Sequence, residues 1–262
     1  MSRAPNLSHA VVDGWTINIA NSDAAISAAI ETASRGAGFT LFTLNLDHLV
    51  KLRDTASFRN AYHQATFVTA DGMPVAALAR AQDSRIVRTT GADLLIPLAL
   101  AAAEAGLPVY LFGTSAEVLG EAGRRLSDNS EGRLDIAGSA SPPPGFDPES
   151  AEADAYIDAI DASGARLCFV ALGAPKQELF AARAVARGAR CGFICIGASL
   201  DFIAGKQVRA PLLVQNAGAE WLWRLLSDPR RLAKRYALCA IHLIRIAVIE
   251  PLKRRIKPGS IY

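Results

Sequence analysis

Several things are missing from this chain, and each absence removes a class of function. No Asp-x-Asp triplet occurs in its 262 residues. A diphosphate bound through a metal ion of the common acidic-triplet kind is therefore not expected. The four cysteines, Cys168, Cys191, Cys195 and Cys239, form no Cys-x-x-Cys pair and no metal-ligand spacing. Cys168 and Cys195 fall in apolar, strand-like runs. Reduced core thiols in a cytosolic protein are expected, rather than disulfides or a metal site. No segment reaches the roughly 20 apolar residues that span a bilayer. The nearest, Ala237 to Ile249, is broken by His242 and Arg245. It reads as a buried helix, an oligomer contact or an interfacial helix. The first residues, Met1 to His9, are polar and lack the apolar run of a signal peptide. There is no internal repeat and no low-complexity segment.

What is present points to an α/β fold. Apolar residues make up 51% of the chain, enough for a sizeable core. The length suits one large domain, or one domain with an appendage. Val11 to Ile19 reads as a hairpin turning at Asp13-Gly14, and a helix capped by Ser22 or Asp23 runs to about Ser34. Apolar strands are expected at 39–44, 66–70, 108–112, 134–138, 165–172 and 191–196. Helices are expected at 46–63, 73–80, 92–105, 116–126 and 148–161, with another opening at Gly173-Ala-Pro-Lys-Gln-Glu178, where Pro175 suits the first turn. Strands apolar along their whole length, alternating with helices, predict a Rossmann-like, mostly parallel sheet covered on both faces.

Charge divides the chain. Residues 205–262 hold twelve Lys/Arg and three Asp/Glu, a net of +9, against −6 for residues 1–204. The reading is an α/β domain over 1–204 and a helical, basic appendage over 205–262. Such asymmetry suggests an anionic partner, whether phosphate, nucleic acid or membrane. The nucleic-acid reading rests on the basic tail alone. The acidic body, without an aromatic and basic sheet face, counts against it.

Ligands of open α/β sheets bind at the carboxyl ends of the strands. Thr43 with Asn45, Asp71, Gly113 with Thr114, Gly173 with Gln177, and Gly197 all fall there. Asp71 is the leading candidate for chemistry, because a carboxylate held rigidly at a strand end can take a proton from an attacking hydroxyl. The alternative is an ordinary Asp-Gly turn. Thr43 and Asn45 either hydrogen-bond a sugar or cap the helix that begins near Asp47. His48 reads as structural. The junctions at Gly113 and Gly173 offer helix N-termini to an anion, though neither is a dinucleotide fingerprint or a P-loop. In the appendage, Arg224, Arg231 and Arg235 would share a face on a continuous helix. Pro229 interrupts it, so the cluster spans a helix junction. Guanidinium forks there suit a diphosphate, and a solvated basic face is the alternative. Trp221 and Trp223 read as packing or lipid contacts.

The motifs occur together and in order: Thr43-x-Asn45, Ala70-Asp-Gly-Met-Pro-Val75, Arg88-x-Thr-Gly-x-Asp93, Tyr110-Leu-Phe-Gly113, Leu172-Gly-x-Pro-Lys-Gln-Glu178, Gly197-Ala-x-Leu-Asp-Phe-x-Ala-Gly205, Arg209-Ala-Pro211 and Glu220-Trp-x-x-Arg224-Leu-x-x-x-Pro229-x-Arg231. From about residue 10 to residue 235 the chain resembles the WecG/TagA/CpsF glycosyltransferases (glycosyltransferase family 26). The resemblance implies an inverting hexosyltransferase for exopolysaccharide or other cell-surface polysaccharide, and the missing Asp-x-Asp triplet adds the expectation that it needs no cofactor or metal. It would move a sugar from a UDP-sugar to a polyprenyl-diphosphate-linked saccharide, at the inner face of the cell membrane. N-acetylmannosamine, its uronic acid, glucose and glucuronic acid are the donors that such families offer. The resemblance makes Asp71 the general base, with Thr43 beside it among the catalytic residues. It places Asn45 near the sugar and the base, makes Gln177 a substrate contact, and implicates Arg224, Arg231 and a third basic position, Arg235 or Lys234, in holding the diphosphate. Arg88 and Arg209 in the motifs, and Gly113 and Gly173 at the strand ends, are expected to bind substrate with them. A homo-oligomer is a possible state, and the stretch from Tyr236 to Tyr262 is expected either to touch the membrane or to pack on the body. A non-catalytic nucleotide-sugar-binding or scaffold protein of an assembly complex is the alternative from another class.

Overall fold

The computed structural model describes residues 8–216 and 218–249, without the side chains of Asn216 and Arg231. The chain opens on an antiparallel hairpin of β1 (Ala10–Val12) and β2 (Trp15–Ile17). Asp13 and Gly14 turn it with φ of 52° and 86°, the positive values that a tight two-residue hairpin turn needs. Next come α1 (Ser22–Ser34) and β3 (Phe39–Leu44). The cap of α1 is Asn21, whose side chain accepts from the Ala24 N–H, rather than Ser22 or Asp23.

The single helix expected over 46–63 is two, α2 (Leu46–Asp54) and α3 (Ala56–His63). Thr55 between them is extended, at φ −112° and ψ 104°. The break lets Leu49 and Leu52 of α2 and Phe58 and Tyr62 of α3 enter one core. Then follow β4 (Phe67–Ala70), α4 (Met73–Arg80), α5 (Gly91–Glu104), β5 (Val109–Gly113) and α6 (Ala116–Asn129). The strand β6 (Ile136–Ala140) lies two residues later than its pattern suggests. Next, α7 (Ala151–Ala162) starts where Ser150 Oγ caps the Ala153 N–H, later than Pro148 would have it. The rest is β7 (Leu167–Ala171), α8 (Lys176–Ala186), β8 (Gly192–Cys195), α9 (Ser199–Ile203), α10 (Leu212–Asn216), α11 (Glu220–Ser227) and α12 (Pro229–Ile244), which continues as a π-helical turn, Arg245–Ile249.

Six strands form one parallel sheet in the order β4-β3-β8-β7-β5-β6. Alternation along each strand sends side chains to opposite faces. Leu41, Ile194, Phe169 and Leu111 pack under α1, α5, α6 and α9. Phe42, Phe193, Val170 and Phe112 pack under α2, α3, α7 and α8. Both faces are covered, which is why these strands are apolar throughout. All four cysteines are free and buried.

The topology also places the crevice. Strands β3 and β8 are neighbours, yet α2 leaves β3 on one face and α9 leaves β8 on the other. The loops after these strands diverge, and a cleft opens between them above the carboxyl ends.

Past Gly205 every described element is helical. Helix α12 lies along α2. Arg235 Nε is 3.5 Å from Asp47 Oδ1, and His242 Nε2 is 2.8 Å from Asp13 Oδ2 in the hairpin turn. Leu232 and Cys239 on its inner side are buried. The described part of the stretch after Tyr236 therefore packs on the body along one side. Its other side leaves Leu238, Ile241 and Ile244 exposed. Residues 250–262 lie outside the described residues.

Candidate active site

A cavity of about 1050 Å³ fills the cleft between the sheet and the C-terminal helices. Its floor is made by the ends of four adjacent strands. Asp71 follows β4, Thr43 lies in β3 and Asn45 just past it, Gly197 follows β8, and Gly173 follows β7. Its roof is made by Trp221, Trp223 and Arg224 of α11 and by Leu232, Arg235 and Tyr236 of α12. The arginine-rich appendage thus closes over the strand ends.

Asp71 is held from its backbone, its N–H donating to Leu44 O at 2.8 Å. Burial is the main cause that raises its carboxyl from 3.8 to about 6. The Arg224 charge and a hydrogen bond from Asn45 oppose that rise, Glu220 adds to it, and Arg88 opposes it more weakly. A base that titrates near working pH is ionised enough to act and basic enough to hold a proton. Asn45 does two things at once. It caps α2, its Oδ1 accepting from the His48 N–H at 3.0 Å, and it steadies Asp71. Of the two alternatives read from the sequence, the cap is the one seen at Asn45.

The helix behind the roof starts tightly. Thr90 and Asp93 form a reciprocal capping box at the head of α5. A Cβ at Gly91 would stand 2.7 Å from Ile196 Cα and 2.9 Å from its carbonyl oxygen. Backbone atoms cannot step aside, so Gly91→Ala should cost about 1–3 kcal/mol. Thermal melting should show this as a midpoint lower by several degrees, and an unchanged midpoint would refute the close packing.

Charges alternate around the rim. Arg209 Nη2 donates to Asp93 Oδ1 at 2.6 Å, Arg88 Nη2 is 3.6 Å from Asp93 Oδ2, and Arg88 Nη1 is 3.7 Å from Glu220 Oε2. Arg224 Nη2 donates to Glu220 Oε1 at 2.9 Å, and its guanidinium carbon lies 5.2 Å from the centroid of the Phe202 ring. That aromatic face holds the cation flat. Arg235 sits over Tyr236, 5.5 Å from the ring centroid.

The structure gathers most of the sequence-derived residues, but not all. Thr43, Asn45, Asp71, Arg88, Gly173, Gln177, Arg224 and Arg235 line the cavity. Gly113 is not among the lining residues. It stands at the end of β5 with φ 121°, where a Cβ would come within 2.4 Å of Ala171 O, so packing accounts for it. Arg209 also stands back, holding Asp93. The side chain of Arg231 lies outside the described residues. Gln177 lines the wall but is buried, and both ends of its amide are engaged. Its Oε1 accepts from the Gly197 N–H at 3.0 Å, and its Nε2 donates to Glu178 Oε1 at 2.8 Å. Burial raises Glu178 to about 7. His48, which also lines the cavity, is buried: burial lowers it to about 3, and its Nδ1 meets the Tyr62 hydroxyl at 2.7 Å.

Glu220, Thr90 and Phe202 stand in the motifs of the sequence, which gave them no role of their own. Glu220 stands four residues before Arg224, an i,i+4 pair that was visible in the sequence. Thr90 stands three before Asp93, the spacing of a capping box. Phe202 stands in the Gly197–Gly205 motif, but its pairing with Arg224 was not legible there, because that partner arrives from another helix. Among the described residues no cluster of three or more His, Cys, Asp or Glu side chains is placed to hold a metal.

A cleft at the switch point of a parallel sheet thus carries a buried carboxylate on its floor and arginines on its roof, groups able to take a proton and to hold an anion. The model of one protein family, described as "Glycosyl transferase WecG/TagA/CpsF family", matches residues 11–257. That match spans nearly the whole chain, and so the protein belongs to the WecG/TagA/CpsF family of glycosyltransferases.

Proposed function

We propose that this glycosyltransferase moves a hexosyl group from a UDP-sugar to a polyprenyl-diphosphate-linked saccharide, inverting the anomeric centre. The observation that carries the reading is Asp71, raised to about 6 by burial and facing Arg224 and Arg88 across one cavity. The acceptor hydroxyl gives its proton to Asp71 as its oxygen bonds to the anomeric carbon. The bond from that carbon to the β-phosphate oxygen breaks, and its electron pair leaves with UDP. Negative charge grows on the diphosphate, where Arg224 and Arg88 are preorganised to receive it. Asn45 keeps the base in place, and Thr43 lies beside it on the floor. In this reading the arginines take the part of a metal ion.

The acceptor is a lipid, and the appendage offers a surface for one. Val208, Leu212, Leu213 and Leu226 are 77%, 74%, 83% and 73% exposed. Among the described residues no helix is long and apolar enough to cross a membrane. These side chains, with the exposed Arg230 and Lys234 of α12, suit docking on the inner, anionic surface of a membrane. The apolar residues nearest the cavity roof precede Tyr236, so the candidate contact is wider than the tail alone.

Incubation with a panel of UDP-sugars and a short-chain polyprenyl-diphosphate saccharide should release UDP and yield a glycosylated lipid with inverted linkage. Mass spectrometry of that lipid names the donor. Turnover should survive EDTA. UDP-sugar binding without turnover on any acceptor would favour the scaffold alternative, and loss of activity in EDTA would remove the arginine-only account.

A further inference from the structure

We infer that Glu220 is a stand-in anion, holding the guanidinium groups of Arg88 and Arg224 in the position a diphosphate takes and giving them up when that diphosphate binds. The inference rests on the functional reading above and assigns a positioning role to a residue outside the chemistry itself.

The geometry is that of one anion between two cations. Glu220 opens α11. Its Oε1 accepts from Arg224 Nη2 at 2.9 Å, and its Oε2 lies 3.7 Å from Arg88 Nη1. Arg88 belongs to the body and Arg224 to the appendage, so this carboxylate bridges the two parts across the cavity mouth. Its side chain is 19% exposed, sheltered but within reach of water. A guanidinium fork accepts a carboxylate and a phosphate in the same way.

The neighbouring acid is fixed where Glu220 is not. Asp93 Oδ2 accepts from the Thr90 N–H at 3.3 Å as half of a capping box, and its Oδ1 accepts from Arg209 at 2.6 Å. Moving the Asp93 carboxylate would break the reciprocal half of the capping box at the head of α5. Among the described residues the Glu220 carboxylate is bonded to the two arginines and to no backbone group. It can therefore rotate away without breaking secondary structure. Without it, two cations would face each other at the edge of a partly dry cavity, which is costly. An incoming diphosphate carries more charge than one carboxylate and so replaces it. The charged groups around this exchange are Asp71, Arg88, Asp93, Arg209 and Arg224. Of these, Asp71 senses Glu220 directly, since the Glu220 charge helps to keep its carboxyl high.

Two diphosphates meet in this reaction, that of the nucleotide donor and that of the lipid acceptor. Calorimetric titration of the full chain with UDP and, separately, with farnesyl diphosphate tells them apart. Glu220→Gln keeps an acceptor for Arg224 and removes the charge. It should tighten the displacing diphosphate by about three- to tenfold. Tightening of UDP alone assigns the exchange to the donor, of farnesyl diphosphate alone to the acceptor, and of both to a shared seat. The acid limb of kcat/KM should also move to lower pH than in the unaltered chain. Should Glu220→Gln not fold, Glu220→Asp carries the test. Its shorter arm releases Arg88, so it should tighten binding by about twofold. Unchanged or weaker binding of both ligands by a folded variant overturns the inference and leaves the functional reading standing. If the unaltered chain binds neither diphosphate, both fall.

Discussion

Asp71→Asn should lower kcat/KM by about 10²–10⁴-fold while leaving the protein folded. The amide keeps the shape of the carboxylate but cannot take the acceptor proton. The same change should raise the thermal midpoint near neutral pH. Burial raises the folded-state carboxyl from 3.8 to about 6. The folded state then binds the proton more tightly than the unfolded chain does. The ionised carboxylate therefore costs stability above about pH 6, and the cost disappears as pH falls toward 4. Asparagine carries no charge and avoids the cost. The melting difference between the variant and the unaltered chain should be largest above pH 7 and should close on acidification. Catalysis runs the other way. With Asp71 protonated it has no base, so kcat/KM should fall about tenfold per pH unit below 6. Full activity in Asp71→Asn, or an acid limb far from 6, would remove Asp71 from its role.

Arg224→Ala carries the second large effect. Losing one donor aimed at a developing oxyanion costs about 10²–10³ in kcat, and Arg224 also lies close enough to act on the base. Its positive charge is the first force opposing the rise of Asp71. Removing it should move the acid limb above 6, whereas a donor lost at a distance would leave the limb in place. Arg224→Lys should restore much of the limb and little of the rate, because a point charge replaces the field but not the fork. Deletion of residues 206–262 should abolish transfer and keep a folded sheet. The two large apolar clusters on the sheet faces are built almost wholly from residues before 205. A deletion that retained activity would exclude the arginine roof from the reaction.

How far the sequence could be read varied from place to place. Fully apolar strands betrayed a sheet covered on both sides, and the alternation of elements betrayed its parallel sense. Asp71 was legible because a strand, a carboxylate and a glycine were adjacent in the chain. Helix boundaries were less so. Thr55 divides a stretch that is helical on both sides, and the division follows from which face Phe58 and Tyr62 must bury. The cap of α1 was missed by one residue, because Asn21, Ser22 and Asp23 are all acceptable caps and only the chain direction chooses among them.

By itself, the sequence determined the α/β class, the basic C-terminal part, the motif set of its family and the residues able to carry charge or protons. These follow from periodicity and from neighbours along the chain. The tertiary structure alone decided which of those residues meet. Five strand ends looked equivalent when read in order. The sheet order then put β4, β3, β8 and β7 beneath the cavity and left β5, with Gly113, outside it. It turned Gln177 toward Gly197, paired Arg209 with Asp93 across 116 residues, and set Phe202 under Arg224. The physical reason is that local preferences act over a few residues. The spatial order of strands, and the faces on which α2 and α9 leave them, are settled only when the whole chain buries its apolar surface at once.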